Sequence, residues 1–361
     1  MVALERIRAS NSKIASTLPS GLVAVFVGAT NGVGEATVRQ FAKYASAPRV
    51  YLIGRSQDAG TRIVNECRAL NAKGEFTFIS KDTSLMRNVD EICETIKQKE
   101  KSVNLLFLTI GTLQTGKKMV GCDAASPDYV VIATVEGLHY PAAIAVHARN
   151  RFITNLLPLI NNATSLRRVI SVFIATLEGE IQMNDFQGWH MKLMANRDHA
   201  ASITTLSLES HHKDNPNVSF VHNFPGVIKS GITRGTSGVV LTALKAVVRI
   251  FGSLFYMPAE EAGDRHVFLS TSARYSAGEK DEAAGVSLSV APDLSFARGT
   301  DGKLASGVYS INASGESAGE KVEEALASLR SRGMTEKVMD TINTDIEKAL
   351  AANTKGLKMC H

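Results

Sequence analysis

The sequence predicts an α/β fold, a doubly wound parallel sheet followed by a helical extension. Three observations carry it: short continuous apolar runs, helical periodicity between them, and a glycine-rich turn directly after the first run. Apolar runs without alternation, bounded by turn residues, are strands covered on both faces. Strands that alternate with helices connect by right-handed crossovers, which place helices on both sides of the sheet.

The first run is Leu22 to Val27, between Gly21 and Gly28. Others follow at Val50 to Ile53, Phe76 to Ile79, Leu105 to Leu108, Val169 to Ile174 and Val218 to Val221, and Val38, Phe41, Ala42 and Ala45 show the helical spacing between them. Gly307 to Ile311 supplies a last strand inside a stretch rich in Gly, Ser and Ala from Ser295 to Gly319. From Glu320 to Leu350 the pattern is two charged amphipathic helices broken near Gly333, which either pack on the core or mediate self-association as a homodimer. The expected division is one domain over residues 1–312, with substrate-lobe helices at 231–270, and a C-terminal helical extension over 313–361. The mostly apolar segment from Gly238 to Tyr256 carries Lys245 and Arg249 on one helical face, so a membrane span is not expected. An amphipathic helix beside the core is the first reading; a substrate lid or a membrane-surface face are the alternatives.

At 361 residues the chain can bury a large core. A net charge of +5, without a basic block interleaved with aromatics, gives no support to nucleic-acid binding. The cysteines, Cys67, Cys93, Cys122 and Cys360, lack CxxC spacing and are too few for a disulfide framework, which fits a reducing compartment. With no signal-like apolar stretch and no lipidation motif, the cytoplasm is the expected location. No metal is expected, because no His, Cys, Asp and Glu set has ligand spacing. Ser171 lacks a Gly-x-Ser-x-Gly elbow, so hydrolase chemistry has no support.

The turn Gly28-Ala29-Thr30-Asn31-Gly32-Val33-Gly34 leads from the first strand into a helical segment from Glu35 to Tyr44. A strand that turns sharply into a helix points free N–H groups at a pyrophosphate, and side chains there block the approach. The fold is therefore expected to be Rossmann-type and to hold a dinucleotide. After the second strand comes Gly54-Arg55-Ser56, where an NAD-specific site places an acid for the ribose 2′-hydroxyl. A guanidinium suits a 2′-phosphate, so NADP(H) is the expected cofactor; otherwise Arg55 is a solvated loop charge.

This turn resembles the TGxxxGxG turn of short-chain dehydrogenases, with Val27 where that family has threonine. The resemblance continues in order along the chain. Asp82 matches the residue that bonds adenine, Leu108-Thr109-Ile110-Gly111 the Asn-Asn-Ala-Gly segment with only its glycine kept, and Asn155 to Pro158 the end of the long interface helix. Arg168 to Ser171 is similar to the catalytic-serine strand, and Phe224-Pro225-Gly226 to the turn that touches the nicotinamide carboxamide. Glu136-Gly137-Leu138, Arg151 to Pro158 and Glu261 to His266 look like a branch common among fungal biosynthetic enzymes.

The resemblance implies a serine that polarises a carbonyl, a tyrosine that transfers a proton and a lysine four residues later that tunes it. Ser171 takes the serine position, unless it is an ordinary strand serine. There is no tyrosine from Pro141 to Phe255; counting back from Glu209 reaches Met191 or Lys192, with Ala195 and Asn196 four residues on. The Tyr-x-x-x-Lys pair is missing, and so is the helix asparagine expected near Ala145 to His147. His190, Lys192 or His199 are the substitute proton donors, if they are not simply packed or solvated. The implied function is an NADPH-dependent reductase of a carbonyl or imine on a hydrophobic small molecule in secondary-metabolite biosynthesis. The alternatives are a non-redox cyclase, isomerase or pericyclase of the same kind of pathway, or a catalytically inactive nucleotide-binding scaffold.

Overall fold

The apolar runs become seven strands in the computed structural model, which describes residues 2–112, 133–226, 228, 257–281, 283–290 and 293–352. They are β1 (Val23–Val27), β2 (Arg49–Gly54), β3 (Glu75–Ser80), β4 (Leu105–Leu108), β5 (Arg168–Val172), β6 (Ser219–Asn223) and β7 (Val308–Ile311). All neighbours pair in parallel, in the order β3-β2-β1-β4-β5-β6-β7. The chain therefore reverses its direction of winding between β3 and β4, and a crevice opens beyond the ends of β1 and β4, where α/β sheets of this kind take their ligands.

Every residue of β1 is buried. Val23, Val25 and Val27 enter one core and Ala24 and Phe26 the other, so a continuous apolar run is what two covered faces require. One face is covered by α1 (Leu4–Asn11), α2 (Gly32–Tyr44), α3 (Gln57–Leu70) and, from later in the chain, Ala259–Thr271. The other is covered by α4 (Met86–Lys97), α5 (Ala148–Asn161), α6 (Leu193–Asp214) and the C-terminal helices. The longer helices that follow in chain order are α7 (Ala259–Thr271), α8 (Glu320–Ser331) and α9 (Met334–Ala351).

Two features depart from the sequence pattern. β5 ends at Val172, although the apolar run continues to Ile174, because the Ile174 amide leaves the ladder and donates to His222 Nε2 at 3.3 Å. α1 has no strong periodicity and is held instead by one buried carboxylate. Asp264 accepts from Arg8 Nε at 2.7 Å and Tyr44 Oη at 3.1 Å, while its carbonyl accepts from Asn11 Nδ2 at 2.9 Å.

The extension packs on the sheet's own core, with Leu326, Leu329, Val338, Ile342 and Ile346 buried in it. Gly333, at φ +67°, makes the break between α8 and α9. Arg87 Nη2 donates to the carbonyls of Leu350 (3.2 Å) and Ala352 and so holds the end of α9. The Glu136 carboxylate accepts the Met86 amide at 2.6 Å and the Arg87 amide at 3.2 Å, capping α4 from a distant part of the chain. Cys67 and Cys93 are buried free thiols, both pushed up to about 12 by burial. The predicted helix from 238 to 256, Cys122 and Cys360 lie outside the described residues. Among the described residues no helix is long and apolar enough to cross a membrane, and no cluster of three or more His, Cys, Asp or Glu side chains stands close enough to hold a metal ion.

Candidate nucleotide site and active-site floor

The glycine turn is built by close approach. Gly28, at φ +89°, donates its amide to Ile53 O at 2.9 Å and ties the turn to β2. A Cβ on Gly28 would lie 2.7 Å from Thr109 Oγ1, and one on Gly34 would lie 2.5 Å from Gly28 O. Thr109 Oγ1 lies 3.0 Å from Val27 O and 3.1 Å from Gly28 O, so this hydroxyl joins the end of β4 to the turn. A Cβ on Gly54 would meet the Thr30 methyl at 2.5 Å, which brings the ends of β1 and β2 together. Asn31 precedes α2 in extended conformation and places no side-chain cap on it; Gly32 opens the helix and Val33 packs inward. The first amides of α2 are thus left for an anion at the switch point, and the residues fit a dinucleotide's pyrophosphate.

Arg55 extends into solvent beyond β2, with Nη1 3.0 Å from the Tyr140 hydroxyl. Cations on α2, α3 and after β3 are ion-paired: Arg39 and Arg62 with Glu35 and Glu66, and Lys81 with Glu91. Among the described residues Arg55 has no carboxylate partner. Asp82 shapes the turn after β3: its Oδ1 accepts the Ser84 amide at 3.0 Å and its carbonyl accepts Asn88 Nδ2 at 2.8 Å.

Beyond the crevice the floor is made by the ends of β4, β5 and β6. Gly111 stands against Phe173, 3.8 Å from where its Cβ would be, and the Phe173 ring lies 5.1 Å from the Arg149 guanidinium. Arg149 is fully buried; it donates to Ser171 Oγ (2.7 Å), Leu108 O (3.1 Å), Val172 O (2.9 Å) and Ile110 O. Burial pulls this guanidinium down to about 9, and its oxygen acceptors keep it charged at neutral pH. Ser171 is therefore the anchor of a buried cation, 1% exposed, and does not stand free above the crevice. Pro225 and Gly226 follow β6, where a Cβ on Gly226 would come within 3.0 Å of the Ala313 Cβ.

Among the described residues no hydrogen bond or ion pair joins Ser171, His190, Lys192 and His199 to one another. His199 is buried and spent on its surroundings: Nδ1 accepts the Gln182 amide at 3.1 Å and Nε2 donates to Phe186 O at 2.9 Å. Burial pulls it below its ordinary value, and both ring nitrogens are engaged by backbone groups. His190 is exposed on the loop before α6, its amide bonded to Asp185 Oδ2 at 2.8 Å, and Lys192 is exposed immediately before that helix.

A second buried group escaped the sequence reading. Glu178 Oε1 accepts from Thr205 Oγ1 at 2.7 Å and Ser310 Oγ at 2.6 Å, and Thr205 Oγ1 lies 2.8 Å from His222 Nδ1. Because Ile174 donates to Nε2, His222 carries its proton on Nδ1 and is neutral. Burial holds His222 down; burial alone would raise Glu178, but the hydrogen bonds its carboxylate accepts carry it below its ordinary range. The network fixes the segment after β5 to β6, β7 and α6. Nothing in the local sequence marks it, whereas Arg149 had a signal: it sits on the apolar stripe of α5 with Phe152, Ile153 and Leu156.

The buried histidines set an acid limit. His211, whose Nε2 is 3.1 Å from Asn150 Oδ1, is pulled by burial down to about 4. An unfolded histidine titrates near about 6.5, so the unfolded chain binds the extra proton between these values. Stability is complete above pH 6.5 and falls as the pH drops toward 4, with His211 alone accounting for up to about 3 kcal/mol. Melting temperatures across this range are expected to fall, and His211→Gln to flatten the slope. An unchanged slope in the variant would remove His211 from the account.

Comparison with known proteins agrees with this geometry. The sequence profile of the short chain dehydrogenase family matches residues 22–132. Oxidoreductase AN1596 of Emericella nidulans is 37% identical over 88% of this chain and 90% of its own length. Oxidoreductase andH of Emericella variicolor is 31% identical over 87% of this chain and 88% of its own. Among solved structures, YwfH, an NADPH dependent reductase involved in bacilysin biosynthesis, superposes with a TM-score of 0.51 at 16% identity, covering 74% of this chain and 95% of that one. The L-sorbose reductase of Gluconobacter frateurii, complexed with NADPH and L-sorbose, gives 0.50 at 18%, covering 74% and 94%. With its parallel sheet, its glycine turn and its fungal oxidoreductase relatives, the chain belongs to the short-chain dehydrogenase/reductase family.

Proposed function

We propose that this oxidoreductase is an NADPH-dependent reductase of a carbonyl or imine on a hydrophobic small molecule in fungal secondary-metabolite biosynthesis, acting in the cytoplasm. The observation that carries the cofactor is Arg55, a guanidinium without a carboxylate partner among the described residues, at the ribose end of a turn cleared of side chains. The reduced dinucleotide supplies a hydride when bound. Gly28, Thr30, Asn31, Gly32, Val33 and Gly34 form the pyrophosphate cradle, Arg55 takes the 2′-phosphate, Asp82 flanks the adenine, and Gly111, Pro225 and Gly226 border the nicotinamide end. The buried charge of Arg149 lies under the ends of β4 and β5, where it favours negative charge developing on a substrate oxygen. Of the residues expected to handle protons, His190 and Lys192 are the two open to a substrate.

Calorimetric titration with NADPH and NADH tests the reading. Wild type is expected to prefer NADPH, and Arg55→Asp to shift preference toward NADH by more than about tenfold; equal affinities in wild type would sink the NADP(H) assignment. NADPH oxidation by a panel of hydrophobic ketones and imines then tests the reaction. A second reading, a non-redox cyclase, isomerase or pericyclase, draws on the missing Tyr-x-x-x-Lys pair together with the engagement of Ser171 and His199. Tight cofactor binding with substrate conversion but no NADPH oxidation would favour it. Binding with no conversion at all, and a stable partner complex, would mark a scaffold.

A further inference from the structure

We propose that Tyr140 is the second ligand of the cofactor's 2′-phosphate and, together with Arg55, sets the choice between NADP(H) and NAD(H); the inference rests on the NADP(H) reading above. The Tyr140 oxygen, 3.0 Å from Arg55 Nη1, accepts from the guanidinium and leaves its own O–H free to donate. Arg39, Arg62 and Lys81 each sit in ion pairs with glutamates, whereas Arg55 has no carboxylate partner among the described residues. A phosphate monoester seated between the two side chains takes N–H bonds from Arg55 and an O–H bond from Tyr140, both to an ionised acceptor. A ribose 2′-hydroxyl brings no charge to that position and gains far less.

The backbone that carries Tyr140 is held in place before any ligand arrives. Tyr140 begins a helical stretch, is followed by Pro141, and precedes a π-helical turn at Ala143–His147. The preceding His139 donates its amide to Gln187 Oε1 at 2.8 Å, and its ring stacks on Trp189 at 4.5 Å. Gln187 in turn donates to Asp345 Oδ2 of α9 at 2.8 Å. On the other side, Ser80 Oγ bonds the Arg55 carbonyl at 3.3 Å and Ser56 caps α3. Both partners thus rise from fixed backbone, which lowers the ordering cost of capturing an anion.

The test is calorimetry of wild type, Tyr140→Phe, Arg55→Ala and the double variant with NADPH, NADH and adenosine 2′,5′-bisphosphate. Tyr140→Phe keeps the ring and is expected to leave the melting temperature unchanged. It should weaken NADPH and the bisphosphate by about tenfold while moving NADH by less than about twofold. With Arg55 already removed, the same change should have a much smaller effect, since the two side chains act on one phosphate. Wild-type affinities for all three probes in Tyr140→Phe, or an equal loss for NADPH and NADH, would overturn the proposal while leaving the NADP(H) reading intact. No preference for NADPH in wild type would overturn both.

Discussion

Gly34→Val is expected to lose dinucleotide binding by about a hundredfold or more, roughly 2.7 kcal/mol. A Cβ at this position would lie 2.5 Å from Gly28 O, 2.7 Å from Thr109 Oγ1 and 3.1 Å from Ala29 Cα. Two of these atoms are backbone, and the third is the hydroxyl that joins β4 to the turn, so none yields cheaply. α2 must back away from β1, and its first amides leave the position at which they meet a pyrophosphate. Overpacking of this kind also costs stability, about 1–3 kcal/mol. Gly278→Ala, outside any helix and with no neighbour within 4 Å of an added Cβ, serves as the control and should change neither property. Calorimetric titration and thermal melting read both effects. Wild-type NADPH affinity in Gly34→Val would mean that the cradle is not the binding site.

Arg149→Met is expected to destabilise the fold by about 3–5 kcal/mol, the range for breaking a buried charged network from one side. The loss leaves Leu108 O, Ile110 O, Val172 O and Ser171 Oγ each short of a donor at the ends of β4 and β5. Arg149→Lys should recover only part of it, because an ammonium cannot reproduce the planar fork. Ser171→Ala distinguishes two roles for the serine. As the anchor of Arg149 it should cost about 1–2 kcal/mol, a hydrogen bond to a charged group. As a group that touches substrate it should remove turnover and leave the denaturation midpoint in place. Chemical denaturation of the three variants measures the first role and NADPH oxidation the second; an unchanged midpoint in Arg149→Met would refute the network account.

What was legible in the sequence was whatever depends on neighbours along the chain. The strands are continuous apolar runs because both faces are covered, and the glycine turn is local by nature, as is the break at Gly333. The active-site floor depends on contacts that cross the sheet. Ser171 sits on a strand where alternate residues face opposite sides, and only the arrival of Arg149 from α5 decides what its hydroxyl meets. β5 stops early because of His222, 48 residues away from Ile174, and Tyr140 meets Arg55 across 85 residues. His199 has the residue type of a proton donor, but that it is buried with both ring nitrogens bonded to backbone depends on contacts the local sequence does not show.

The docking of α8 and α9 on the sheet has a consequence for the order in which the molecule is made. A ribosome releases β1 to β6 before residues 320–351 exist, so the apolar side chains of α4 and α6 that α9 covers face water in the nascent chain. The switch-point turn at β1 and β4 is assembled early, while the Asp345 contacts that hold Gln187 and His147 come last. Closing that face is therefore a late step of folding, and until α8 and α9 dock, the nascent sheet carries an apolar surface open to non-native contacts.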